Sequence, residues 1–290
     1  MRTLDGLDME RRLTSIKERI ASVTLRDESN WLETLSERKR DELEFHDRDR
    51  AGGIEAERSD AANRKYYSVT EASREYVAQW VRSNVPEKIV LDYACGNGHY
   101  ALMASQAGAR FAIGIDISPV SIANCQQRAL SEGMQDVTRF YVGDCEATEL
   151  ADNSVDTVIC SGMLHHLDLT YALPEIRRIL VPGGRCLAVE ALAYNPAIRL
   201  YRALTPSLRT EWESEHILSQ KDLDFARCFM AVENVRYWHL ASLTVVPLRR
   251  SRLFRPLLAV ASAVDSFLLR VPGVQKLAWM FTFELVKKEL

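Results

Sequence analysis

The residues best suited to chemistry form one run, Val90-Leu91-Asp92-Tyr93-Ala94-Cys95-Gly96-Asn97-Gly98-His99-Tyr100. It reads as an apolar strand, a glycine turn and the start of a helix. Gly96 and Gly98 remove side chains where a ligand must lie against backbone, and a helix N-terminus offers free N–H groups to an anion. Alone, Gly96-x-Gly98-x-x-Ala101 also fits a dinucleotide fingerprint. Asp92 separates the two readings. At the end of the strand it repels a pyrophosphate but can hold an ammonium group or an ordered water, which favours a cofactor bearing an amino acid.

Two further acids follow at strand ends. Asp116 can accept two hydrogen bonds from ribose hydroxyls, with Ile117 flat against an adenine. Asp144 can accept from the adenine amino group while the Cys145 backbone N–H donates to a ring nitrogen. Ser161-Gly162-Met163-Leu164-His165-His166-Leu167 comes after the fourth apolar run, where open α/β sheets bind ligands. His165 and His166 are candidate general bases, although either can instead serve the loop as a cap or hydrogen-bond partner.

These groups need a frame. From Lys88 onward, short apolar runs alternate with helical patterns, the signature of βαβ units. Strands are predicted near Ile89–Tyr93, Arg110–Ile115, Thr138–Val142, Ser154–Cys160 and Gly184–Glu190. Two more, Val232–Leu240 and Ala278–Val286, are expected to close an antiparallel end. Between the second and third, Ser118 suits an N-cap, Pro119 the first turn, Ile122, Cys125 and Ala129 an inward face, and Gly133 the stop. Leu180-Val181-Pro182-Gly183-Gly184-Arg185 supplies a tight turn into the fifth strand.

Upstream, Leu13, Ile16, Ile20 and Val23 recur at helical spacing, and Trp31–Arg50 is charge-dense. Both read as helices outside the main core. Ala51-Gly52-Gly53 and the polar residues to Arg64 read as a linker. Ser68 with Glu71 suggests a capping box for a helix whose face is Ala72, Tyr76, Val77, Trp80 and Val81. The expected division is a helical extension or cover at 1–64 and a catalytic domain at 65–290. Within the latter, a helical insertion around 191–230 is expected over the site.

Composition narrows the partners. With 290 residues, 47% hydrophobic, the chain can bury a large core. Its formal net charge of -3 argues against a general nucleic-acid binder. Cys95, Cys125, Cys145, Cys160, Cys186 and Cys228 show no CxxC pair and no Cys/His cluster of zinc-finger spacing, so reduced thiols in a cytoplasm are expected and no metal is assigned. Met1–Glu10 lacks an apolar signal core. Leu253–Val271 is interrupted by Arg255, Pro256, Asp265 and Arg270, so no transmembrane segment is expected. The region 248–271 fits either a helix packed on the sheet between the last two strands or a weak membrane-surface contact.

Taken in order, these motifs resemble those of the class I S-adenosylmethionine-dependent methyltransferases that act on small molecules. The resemblance covers about Tyr66 to Glu190 and rests on Asp92 to Gly98, Asp116, Asp144, Ser161 to Leu167 and Pro182-Gly183-Gly184. It implies an α/β, Rossmann-like seven-stranded sheet with its last strand antiparallel, N-terminal helices and a covering insertion. S-adenosylmethionine is then the cofactor, held by Tyr67, Asp92, Ala94, Cys95, Gly96, Asn97, Gly98, Asp116, Ile117, Asp144, Cys145 and Ser161.

Ala94 departs from the pattern, since many members have glycine there; its methyl is tolerable if φ stays negative. Glu44 to Asp47, Lys65 to Ser68 and Thr205 to His216 resemble accessory pieces that shape an acceptor pocket. His46 and His216 are therefore further candidates, beside the plainer reading of structural histidines. Tyr66 and Tyr67 either close over the cofactor or pack beneath the next helix. O-methylation of a small molecule, with His165 or His166 as base, is the leading expectation. A nicotinamide-dependent oxidoreductase and a non-catalytic S-adenosylmethionine-binding protein are the alternatives, and the oligomeric state is left open.

Overall fold

Five apolar runs between Ile89 and Ala191 pair side by side in parallel, as their near-continuous burial requires of strands covered on both faces. They are β1 (Ile89–Tyr93), β2 (Phe111–Asp116), β3 (Thr138–Val142), β4 (Val155–Ser161) and β5 (Leu180–Ala191). Two later strands, β6 (Ala231–Trp238) and β7 (Met280–Val286), complete a seven-stranded sheet of order β3-β2-β1-β4-β5-β7-β6. β7 runs antiparallel to both neighbours. The computed structural model describes residues 4–50 and 65–289. The linker expected at 51–64 lies outside the described residues.

Alternate side chains divide the core into two layers. On one face Leu91, Tyr93, Ile113 and Cys160 pack against α1 (Leu4–Thr24) and α7 (Leu169–Ile179). On the other, Val90, Ala112, Phe140 and Ile159 meet α4 (Glu71–Asn84), α5 (His99–Gln106) and α6 (Pro119–Ser131). The remaining helices are α2 (Glu28–Glu33) and α3 (Glu37–Arg50) near the N-terminus, α8 (Pro196–Leu204), α9 (Glu211–Glu215) and α10 (Gln220–Ala226) after β5, and α11 (Phe254–Leu268) between β6 and β7. α6 starts as its sequence reads: Ser118 accepts from the Ser121 N–H and Pro119 opens the helix.

Several expectations need correction. α1 is part of the main core, with Leu13, Ile16, Ile20 and Val23 buried in the same cluster as β1 and β2. Full burial of such side chains contributes about 1.5–3 kcal/mol each as an upper bound, and Arg12 with Asp156 and Arg19 with Glu149 fasten the rim. Trp31–Arg50 is broken at Thr34–Ser36. Its second piece, α3, lies outside the main core as expected and covers the strand ends, with Arg38, Lys39, Glu42 and His46 turned inward. The Ser68 capping box is not formed. Ser68 Oγ donates to the Lys65 carbonyl, and Thr70 occupies the cap position.

α11 connects β6 to β7 as expected but does not pack flat on the sheet. Of its own residues only Leu258 and Asp265 are buried. No described helix is long and apolar enough to cross a membrane.

Candidate active site

The parallel strands all end on one edge, and the turns beyond them set the chemistry. After β1 the chain reverses through Ala94, Gly96 and Gly98 at φ of 56°, 52° and 68°. At Gly98 a Cβ would come within 2.9 Å of Cys125 Sγ and Phe140, so only glycine fits there. Ala94 overturns the expectation of a negative φ. Its methyl sits in the left-handed region at a cost of about 1–2 kcal/mol, held by the Cys95 N–H donating to the Ile115 carbonyl and by Gly98 N–H donating to Cys95.

The two buried acids of this edge lock the turn. Asp92 Oδ2 accepts from the Tyr100 and Ala101 N–H groups at 3.1 and 2.9 Å, capping α5 from beneath. Asp116 accepts from Gly96 N–H at 2.7 Å and Ser118 N–H at 3.0 Å. Burial, with Asp116 nearby, pushes the Asp92 carboxyl up to about 8 against the two backbone bonds.

Beyond Asp116 lies a narrow cleft lined by Ala94, Asp116, Ile117, Asp144 and Cys145 on the sheet side. Asp92, Cys95, Gly96, Asn97 and Gly98 form the turn beside it without lining it. α3 closes the outer side. Lys39 Nζ lies 2.6 Å from Asp144 and 2.7 Å from Glu146, while Arg38 pairs with Glu146 and donates to the His166 carbonyl at 2.9 Å. The space left for a ligand there is about 40 Å³, and the Lys39–Asp144 pair stands across it.

A second cavity, of about 270 Å³, opens next to the cleft. Its walls include Phe45, Tyr66, Tyr67, Tyr201 and Trp279, with Arg202, Arg209 and Glu213 as the charged members. Tyr66 packs on Tyr201 at 4.7 Å, and the half-exposed Tyr67 ring sits 5.6 Å from Trp279 at the mouth. Burial, and then Arg209 alongside, lowers the Arg202 guanidinium to about 10. His46 and His166 line both spaces, so the cleft and the cavity meet there. Ser161, at the end of β4, lies 3.2 Å from the Tyr100 hydroxyl.

Each histidine of the pair is held by its own carboxylate. His165 Nδ1 lies 2.7 Å from Glu190 Oε2, and the other oxygen of Glu190 accepts from Met163 and Leu164 N–H. His166 Nδ1 lies 2.8 Å from Glu42 Oε2. A carboxylate only accepts, so both rings donate from Nδ1 and turn Nε2 to other partners. Burial alone would raise the Glu42 carboxyl, but the hydrogen bond from His166, the His46 ring nearby and the hydrogen bond from Thr210 outweigh it and hold it well below the usual range. His216 lies apart from this centre, exposed and stacked on Trp212 at 3.6 Å.

Comparison with known proteins accords with this geometry. Residues 91–188 match the family described as "Methyltransferase domain". These residues thus resemble a methyltransferase domain. That similarity favours the methyltransferase reading of the glycine spacing over the dinucleotide one. The chain is 32% identical over 142 residues to a ribosomal protein L11 methyltransferase of Photorhabdus laumondii, covering 46% of each. It is 34% identical over 105 residues to a demethylmenaquinone methyltransferase of Thermus thermophilus, covering 36% of this chain and 47% of that one. The chain thus spans about half the length of these relatives. The fold resembles that of geranyl diphosphate C-methyltransferase from Streptomyces coelicolor A3(2), with a TM-score of 0.52 at 17% identity over 73% of this chain and 76% of that one.

Around these two spaces, Glu42, Glu190, Arg202, Arg209 and Trp279 escaped the sequence reading. Glu190 had a signal: an acid inside the apolar run Leu187-Ala188-Val189-Glu190, fully buried, needs a partner. Glu42 had a weaker one, the four-residue spacing of Arg38, Glu42 and His46 along α3.

Proposed function

We propose that this chain transfers the methyl group of S-adenosylmethionine to an oxygen of a small acceptor that carries an anionic group. The observation that supports this reading most is the meeting of cleft and cavity at His46 and His166. The cofactor supplies a methyl already activated on a sulfonium, so the protein's main contribution is alignment, worth roughly 7–11 kcal/mol. Asp116 takes the ribose hydroxyls, Ile117 the adenine face, and Asp144 with the Cys145 N–H the adenine edge. Asp92, buried and driven toward its neutral form, favours a ligand with a positive end. The turn Ala94 to Gly98, with Ser161 and Tyr67, completes the cofactor's surroundings.

On the acceptor side, Arg202 and Arg209 bind the anionic group and the aromatic walls hold its carbon frame. His166, at the junction, takes the proton from the acceptor hydroxyl through Nε2, while Glu42 fixes the ring and favours the imidazolium. His165 contacts the acceptor deeper in the cavity, and His46 stands behind His166 at 5.0 Å between ring centres. α3 acts as cover over the cleft, with the insertion around 191–230 completing the acceptor wall. Six free thiols fit a reducing compartment, and we place the reaction in the cytoplasm.

The reading is tested by incubating the protein with methyl-labelled S-adenosylmethionine and a panel of hydroxylated carboxylates and phosphate esters. Label in the oxygen ether of an anionic acceptor, with KM raised about tenfold or more by Arg202→Ala, is the expected result. Transfer only to uncharged acceptors, or to nitrogen or carbon, would overturn the acceptor assignment.

A further inference from the structure

The segment between β6 and β7 carries an apolar surface that the fold does not use. Along α11 and its flanks, Leu253, Leu257, Val260, Val264, Phe267 and Val271 recur at alternating steps of four and three residues, which places them on one helical face. All six are exposed, Phe267 to 71% and Val260 to 62%. The opposite face anchors the helix. Leu258 packs with Val69, Ile198 and Trp279, and the buried Asp265 carboxylate accepts from the N–H groups of Leu240, Ala241 and Ser242. The exposed stripe is thus presented outward by a fixed helix.

Charge says what covers it. Between residues 240 and 280 Asp265 is the single acid, and it is buried. The same segment carries Arg249, Arg250, Arg252, Arg255, Arg270 and Lys276 at the two ends of the stripe, and all but the half-buried Arg249 are exposed. A protein of net charge -3 has therefore gathered a cationic rim around this long outward apolar stripe. A second copy of the chain would bring like charges together across such a contact. An anionic lipid surface meets both features at once, taking the apolar residues below its headgroups and the arginines among its phosphates. At 15 residues α11 is about 22 Å long, short of the roughly 30 Å of a bilayer core. It is suited to lie in the interface and not to cross it.

We infer that the protein docks on anionic membranes through the outward face of α11. The buried side of the docked helix is joined to the cavity wall, because Ile198 and Trp279, against which Leu258 packs, also line that cavity. The inference does not depend on the proposed methyl transfer.

It is tested by sedimenting the full chain with sucrose-loaded phosphatidylcholine vesicles, with and without phosphatidylglycerol, in the absence of any methyl donor or acceptor. Binding to the anionic vesicles that weakens with salt is expected. Leu257→Ser with Phe267→Ser should lower the partition coefficient at least about tenfold, and Arg250→Glu with Arg252→Glu by a similar factor. Melting temperatures of these variants should match the parent, since the replaced side chains are exposed. Equal sedimentation with both vesicle types, or variants that partition like the parent, would overturn the inference. So would a dimer in sedimentation velocity that the Leu257 and Phe267 substitutions dissolve.

Discussion

The sheet side of the narrow cleft comes almost wholly from residues 94–146, whereas the neighbouring cavity takes Phe45, Tyr66, His165, Arg202, Arg209 and Trp279 from separate segments. The first is made by successive strand-turn-helix units, each with its own turn chemistry. The second exists only once α3, α8, α9 and the start of β7 have come together. The contrast teaches that one cleft at a sheet edge can be encoded locally while the cavity beside it is a long-range product of the same fold. It also divides the expected consequences of mutation.

The largest effect is expected on the acceptor side. His166→Ala should lower kcat by about 100-fold or more, the usual contribution of a positioned base, while leaving S-adenosylhomocysteine affinity within about threefold of the parent. Parallel losses in turnover and cofactor affinity would merge the two regions into one.

Next comes the packing between α4 and the segment after β6. His239 Nε2 lies 2.8 Å from Ser73 Oγ, its Nδ1 faces Ser242, and burial lowers its pKa to about 4 from an ordinary 6.5. The unfolded chain binds this proton at higher pH than the folded one does. Its contribution is intact above pH 6.5 and is lost progressively as pH falls from 6.5 toward 4. Urea titrations at pH 7 and pH 5 should differ by on the order of 1–2 kcal/mol from this group, and His239→Gln should remove most of that difference. An unchanged pH dependence in the variant would deny the buried neutral histidine.

On the cofactor edge the effects are smaller and separable. Asp116→Ala should weaken S-adenosylhomocysteine binding about tenfold or more in calorimetry, through lost charge-assisted hydrogen bonds. Smallest is Ala94→Gly. Relief of the left-handed backbone should stabilise the protein by about 1 kcal/mol in denaturant unfolding, partly offset by the freer unfolded chain. A destabilised glycine variant would mean the Ala94 methyl packs well enough to outweigh its backbone.

The same division governs what was legible in the sequence. Asp116, Ile117, Asp144 and Cys145 line one cleft because each closes a strand whose period and turn residues are readable over a few positions. The alternation that makes a parallel sheet and the cap of α6 follow from equally local patterns, whereas the reversal of the last strand is what the family resemblance implies. α1 was misplaced because a helix with one apolar stripe looks the same whether it covers the main sheet or a satellite cluster. The inward role of α3 is hidden for the opposite reason. Its inward face is made of Arg38, Lys39, Glu42 and His46, which satisfy one another and the acids of the sheet edge, so no apolar period announced its position. Arg202 and Arg209 gain meaning only from Tyr67 and Trp279, far away in the chain. Asp92 reached the expected place but serves the N-terminus of α5 from below the turn.

The most direct test is a crystal structure with S-adenosylhomocysteine bound. The account predicts an adenosine between Asp116 and Asp144, α3 displaced with Lys39 released from Asp144, and the sulfur facing the acceptor cavity beside His46 and His166. A sulfur turned toward packed side chains, or a ligand outside the cleft, would contradict it.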